Sequence, residues 1–213
     1  MRCFLSGLWR MQDNNPDLYF VPKGNGESLY KEKGSKFHGY LFTVRSESEV
    51  ELRLSEVRAL HSSARHHCYA YRLDPESGDY RANDDGEPSG SAGKPIYGQL
   101  LSSDLYECII IVVRYFGGVK LGVGGLITAY KEAAHGAIEN SGILSKTITR
   151  TILIRYLYEH TSDVNKWVHH KALQRGKETF ETDCTLELEV PRVQFNDLVE
   201  EIDQLVFIER VKD

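Results

Sequence analysis

The chain has no paired cysteines, no long apolar run and no excess of basic residues, and each absence removes a class of protein. Its four cysteines, Cys3, Cys68, Cys108 and Cys184, stand far apart with no CxxC pair, which argues against a structural zinc site and a disulfide framework. Cys68, Cys108 and Cys184 lie in strand-like runs and read as buried, reduced thiols of a cytoplasmic protein. No apolar stretch approaches the roughly 18 residues of a membrane span. The opening MRCFLSGLWR lacks the apolar segment and small-residue cleavage site of a secretion signal. A formal net charge of -5 leaves no global basic field for nucleic acid, so any such binding has to be local.

Several catalytic signatures are missing as well. Ser89 and Ser91 lie in no GxSxG elbow, and no histidine is tied to them by spacing. The glycine-rich stretch is not followed by the Gly-Lys-Ser/Thr of a Walker A loop, and GGVKLGVGG fits GxGxxG only loosely. Asp84, Asp85 and Glu87 are dense enough to hold a divalent cation, yet EF-hand spacing is absent and no further ligand is fixed. His66 and His67 are neighbours on a strand, so their side chains face opposite ways.

What is present centres on Glu107 to Lys131. Cys108 to Val113 is a short β-branched run, read as a strand buried on both faces. Arg114 and Tyr115 end it, Phe116 follows, and Gly117, Gly118, Gly124 and Gly125 surround Lys120. Leu126, Ala129, Tyr130, Ala133, Ala137 and Ile138 then recur on one face of a helix. Glycines at a strand-to-helix junction predict positive φ angles or close backbone approach, and a helix start offers unpaired N–H groups to an anion. A tight crossover in which the glycines serve packing alone is the other reading.

Around this stretch the pattern is mixed. Gly34 to Val44 reads as a strand paired with the preceding SLYKEKG, then a helix carries Val50, Leu54 and Val57. HHCYAYRL forms a hairpin with Asp79 to Asn83, and a polar loop, Asn83 to Ile96, carries Asp84, Asp85, Glu87, Ser89 and Lys94 ahead of a helix from Pro95 to Ser103. After Gly142 the pattern resets. A strand from Ile148, a helix bearing Val164, Trp167, Val168 and Ala172, a helix from Phe195 to Ile202 and a strand from Leu205 to Val211 follow; if Gly176 to Val190 supplies two strands joined near Glu181 to Asp183, the order is βαββαβ. Residues 1–24 read as a tail open to disorder, with Met11 a second candidate start; the domains are 25–143 and 146–213, with the boundary near Ser141 to Lys146.

The segments YKEKGSKFHGYLFTV, AYRL, NDDGEPSGSAGKPI, IIVVRYFGGVKLGVGGL and TAYKEAA, in this order between about Leu29 and Ile143, resemble the Impact family and, more closely, its bacterial YigZ-like members. The resemblance implies an α+β, two-domain protein. Its N-terminal domain would share the fold of elongation factor G domain IV and of a small-subunit ribosomal protein domain; its C-terminal, ferredoxin-like βαββαβ domain would resemble domain V of that factor. Eukaryotic Impact proteins regulate translation by competing for the ribosome-associated activator of the amino-acid-starvation kinase. The resemblance includes no RWD domain, so the kinase role is not carried over.

Two functional classes follow. The favoured one is a noncatalytic, cytoplasmic binding protein acting on RNA, the ribosome or protein partners of the translation machinery, with no cofactor and no metal. Arg114, Lys120 and Lys94 would meet phosphates beside Gly117, Gly118, Gly124 and Gly125, while Tyr115 or Phe116 stacks. The other is an enzyme holding a phosphorylated small molecule at the glycine loop, with Asp84, Asp85 or Glu87 as metal ligands or general base and Ser89 nearby. A dimerisation scaffold is a third reading.

Overall fold

Residues 15–211 are described by the structure, a computed structural model; they separate into one unit of Tyr19–Lys146 and another of residues 15–18 and 147–211. Cys3 and Met11 lie outside the described residues.

The first unit runs β1 (Leu18–Pro22), β2 (Gly26–Glu32), β3 (Ser35–Thr43), α1 (Glu47–Leu60), β4 (His66–Arg72), β5 (Tyr80–Asn83), α2 (Gly93–Ser102), β6 (Cys108–Tyr115), α3 (Gly122–Ser141) and β7 (Ile143–Thr147). Five strands form an antiparallel sheet in the order β2-β3-β6-β4-β5, with β6 at its centre. Alternation along β6 divides the core. Cys108, Ile110 and Val112 pack with α2 and α3, while Ile109, Ile111 and Val113 pack with Val50, Leu54 and Val57 of α1. A strand flanked by helices on both faces has to be apolar throughout, which is why its alternation is invisible as a polarity pattern.

Two elements correct the sequence reading. Leu18–Pro22, placed in the tail, is strand β1, and Ile143–Thr147, placed at the domain boundary, is its partner β7. Val21 is buried, and Phe20 accepts from the Tyr106 N–H at 2.9 Å. Glu107, at a φ of 50° where β6 begins, fixes the pair: its carboxylate accepts from the Tyr19 hydroxyl at 2.7 Å and Lys146 Nζ at 2.6 Å, with Arg45 Nε at 3.3 Å. Burial works to raise this carboxyl, but the Lys146 and Tyr19 hydrogen bonds outweigh it and hold it below its ordinary value.

The second unit continues with β8 (Thr149–Tyr156), α4 (Thr161–His170), β9 (Gln174–Phe180), β10 (Cys184–Pro191), α5 (Phe195–Ile202) and β11 (Glu209–Arg210). The strands form an antiparallel sheet in the order β11-β8-β10-β9, the βαββαβ arrangement expected. Ile152, Ile154 and Tyr156 face the same core as Leu186, Leu188 and Val190, and both helices cover that side through Val164, Val168, Leu198 and Ile202. The expected final strand shrinks to two residues. Val206 is fully exposed, so Leu205 to Phe207 forms a turn and not the start of a strand. Ala172 likewise falls beyond α4, at a φ of 51°.

Cys68, Cys108 and Cys184 are free and fully buried. Among the described residues no helix is long and apolar enough to cross a membrane.

Candidate functional site at the glycine loop

The loop from Asp84 to Ala92 is built by its own carboxylates. Asp84 accepts three backbone N–H groups: Gly90 at 2.8 Å, Ala92 at 3.0 Å and Gly93 at 2.8 Å. It thereby caps the start of α2 from a distance, since Ala92 at the N-cap has no side-chain acceptor. Burial pushes the Asp84 carboxyl up, but the three donors, helped by Lys94, win and keep it below its ordinary value. Asp85, at a φ of 40°, accepts the His67 N–H at 2.6 Å, and its carbonyl meets His66 Nδ1 at 2.9 Å.

Glu87 is buried and does the joining. Its Oε1 accepts from Arg114 at 2.7 Å and from the Tyr130 hydroxyl at 2.9 Å, so one carboxylate connects the loop, the end of β6 and α3. Cys68 continues the network, 3.3 Å from the Tyr130 oxygen and 3.0 Å from the Asp84 carbonyl. Arg114 shares the parity of Ile110 and Val112 on β6, so it enters the α3 side of the sheet and is only 8% exposed. Its guanidinium carbon lies 5.6 Å from the ring centres of both Phe37 and Phe116, and among the described residues its Nε has no hydrogen-bond partner.

The loop after β6 uses its glycines in two ways. A Cβ on Gly117 would stand 1.9 Å from the Gly34 carbonyl carbon, so the β2–β3 turn and this loop touch backbone to backbone, and Ser35 Oγ accepts the Gly117 N–H at 3.1 Å. Gly118 and Gly122 adopt φ values of 87° and 72°, open to glycine without strain. Gly124 and Gly125 fall in the first turn of α3, and among the described residues a Cβ on Gly124 would meet nothing within 4 Å. Phe116, Lys120, Lys94 and Ser89 are exposed.

The sequence-predicted set is therefore brought together in part. Glu87 and Arg114 meet directly, and Asp84 holds the loop that carries Ser89 and leads to Lys94. Asp85 is tied instead to β4. Tyr115 leaves the set, because it points to the opposite face, where its hydroxyl lies 2.9 Å from His61 Nδ1. Among the described residues no three His, Cys, Asp or Glu side chains converge as cation ligands.

Tyr115 leads to a cluster that sequence reasoning missed. His61, at the C-cap of α1, sits between Tyr40 (2.7 Å from Nε2) and Tyr115, and the His38 ring lies 5.2 Å from it, centre to centre. His38 and His67 flank Val113 in the sheet register, on this same face. The period-two placement of His38 with Tyr40, and of His67 with Tyr69, is the signal that would have found it.

Burial lowers all three imidazoles from 6.5. The His38 and His61 charges oppose each other, Lys36 opposes His38, and Arg58 opposes His67, while Asp85 only partly compensates. The unfolded chain thus binds more protons than the folded one. Stability from this cluster is present above the ordinary histidine value and is lost as pH falls through the lowered folded values. Neutral His61 can accept from one tyrosine and donate to the other, whereas its protonated form has only donors. Urea midpoints should therefore drop between about pH 6.5 and 5, before most carboxylates titrate. An unchanged midpoint across that window would contradict the assignment.

Comparison with known proteins adds the following. Residues 33–138 match the Impact N-terminal domain. The chain is 35% identical over 150 residues to the IMPACT family member YvyE of Bacillus subtilis, covering 70% of this chain and 66% of that protein. It is 38% identical over 133 residues to the IMPACT family member YigZ of Escherichia coli, covering 62% of this chain and 65% of that protein. The match thus spans just under two thirds of either relative's length. A solved structure described as that of an hypothetical protein aligns with a TM-score of 0.66 at 24% identity, over 92% of this chain and 98% of the other, a likeness of fold alone.

Proposed function

Because the chain belongs to the Impact family, we propose that it is a noncatalytic, cytoplasmic binding protein that acts on RNA or the translation machinery. The observation that carries this reading is the commitment of the loop's acids to architecture. Asp84 holds backbone N–H groups, Asp85 holds β4 and Glu87 holds Arg114 and Tyr130, so each of the three acids has a structural partner. Of the polar and aromatic side chains in this set, Lys94, Lys120, Phe116 and Ser89 are exposed. In this proposal the first unit has the fold of elongation factor G domain IV and the second that of domain V, a fold analogy that supports a ribosomal partner without fixing it.

The second unit gives less to such a partner. On the sheet face left open by its helices, β8 and β10 present Thr151, Leu153, Arg155, Thr185, Glu187 and Glu189, with no aromatic ring among them. Four-stranded sheets that read RNA use stacked aromatics on that face. This supports the first unit as the side of the proposed interaction.

Co-sedimentation with ribosomes at low and moderate salt tests this. Lys94→Glu with Lys120→Glu is expected to weaken a salt-sensitive association, while Lys166→Glu, on an exposed helix of the second unit, should do little. Arg114 is left intact because its reversal would set a second carboxylate against Glu87. Absence of any salt-sensitive association by the unmodified protein would sink the proposal.

A further inference from the structure

The strand-to-helix loop presents apolar side chains outward at unusual density. Phe116 is 60% exposed, Val119 52%, Val123 54% and Ile127 40%. Val123 and Ile127 are one helical turn apart, so they continue the loop's surface along a single face of α3. Burying such groups against a partner is favourable, and leaving them wet is not.

Within the loop the charge has one sign: from Cys108 to Lys131 the chain carries Arg114, Lys120 and Lys131 and no carboxylate, within a protein of net charge -5. Arg114 is paired with Glu87, and Glu32 next to Lys33 and Glu132 next to Lys131 add carboxylates at the borders. A further cation comes from elsewhere in the sequence: Lys33 is exposed at the tip of the β2–β3 hairpin, next to Gly34, whose backbone lies against Gly117. Phe116 itself is held from behind. The buried Arg114 guanidinium, fixed by Glu87, lies 5.6 Å from its ring centre, which orients the ring while more than half of the side chain stays open.

An exposed ring on a rigid support, apolar neighbours and flanking lysines suit a strand whose bases are unpaired. A base can stack on Phe116 and its sugar can pass over Val119 and Val123, while Lys33 and Lys120 meet phosphates. A duplex offers phosphates but keeps its base faces stacked inside, so it would leave the apolar surface uncovered. Resting on the functional reading above and refining it, we propose that the loop surface around Phe116, with the tip of the β2–β3 hairpin, binds single-stranded RNA by base stacking.

The test is fluorescence anisotropy of the full chain with a labelled unstructured RNA of about twelve nucleotides and with a fully paired hairpin. The single strand should bind roughly tenfold or more tightly than the hairpin. Phe116→Ala should weaken single-strand binding about 5- to 150-fold, the loss of one base stack, while Phe116→Trp retains it. Lys33→Glu with Lys120→Glu should reduce the salt slope by about 1.4, the value for two phosphate contacts on a single strand. Thermal melting of each variant checks that the fold is kept, as substitution of exposed side chains should allow. Equal affinity for strand and hairpin, or an unchanged affinity in Phe116→Ala, overturns the inference. If the protein pellets with ribosomes but ignores both RNAs, this inference falls and the broader function stands, with a protein covering the patch. If it does neither, both fall.

Discussion

Glu87→Ala should be among the most damaging single substitutions, lowering stability by about 3–5 kcal/mol, because it leaves the Arg114 charge buried without its partner. Only 4% of the Glu87 side chain and 9% of the Arg114 side chain are exposed, so water cannot replace the lost carboxylate. The Tyr130 hydroxyl loses its acceptor as well. Urea unfolding followed by circular dichroism measures the loss. Combining Glu87→Gln with Arg114→Met removes both charges while keeping a polar acceptor near Tyr130, and should recover much of the stability. A single Glu87→Ala variant that unfolds at the wild-type midpoint would show that the ion pair holds nothing.

The second large effect is expected at Gly117. Alanine there would place its Cβ 1.9 Å from the Gly34 carbonyl carbon and 2.1 Å from the Ser35 nitrogen. Both are backbone atoms, so no flexible side chain can swing aside; the loop or the hairpin has to separate, weakening the hydrogen bond to Ser35. A cost of about 1–3 kcal/mol or more follows from overpacking of this kind. Gly124→Ala provides the contrast, since its Cβ meets nothing within 4 Å among the described residues and alanine favours a helix by up to about 1 kcal/mol. Two equal melting temperatures would refute the distinction between a glycine required by contact and one that is not.

Local pattern made much of this fold legible. The run from Cys108 to Val113 announced a doubly buried strand, and Leu126, Ala129, Tyr130, Ala133, Ala137 and Ile138 announced the buried face of α3, as all six are. The alternation from Cys184 to Val190 likewise marked β10, whose inward residues are its apolar ones. β1 and β7 were not legible, because each is short and is stabilised by the other from the far end of the unit. No window of sequence contains both.

At the candidate site, composition identified the residues but not their work. Arg114 read as a phosphate ligand because it stands beside the glycine loop; its parity with Ile110 and Val112 was the overlooked clue that it turns toward α3. Glu87 gave no local sign of its role, since its partners stand 27 and 43 positions away. Tyr115 beside Arg114 seemed part of one surface, yet neighbours on a strand face opposite ways.

The pairing of β1 with β7 also sets an order of events during synthesis. β1 leaves the ribosome among the first described residues, but its partner strand, and Lys146 which joins Tyr19 on Glu107, follow only after all of α3 has been made. At about 5–20 residues per second the first strand waits roughly 6–25 s with its edge unpaired. The five-stranded sheet needs neither strand and can assemble in that interval. Closure of the two-stranded ribbon would then be a late, long-range step, and the nascent chain would be most open to proteases near Tyr19 until translation has passed Thr147.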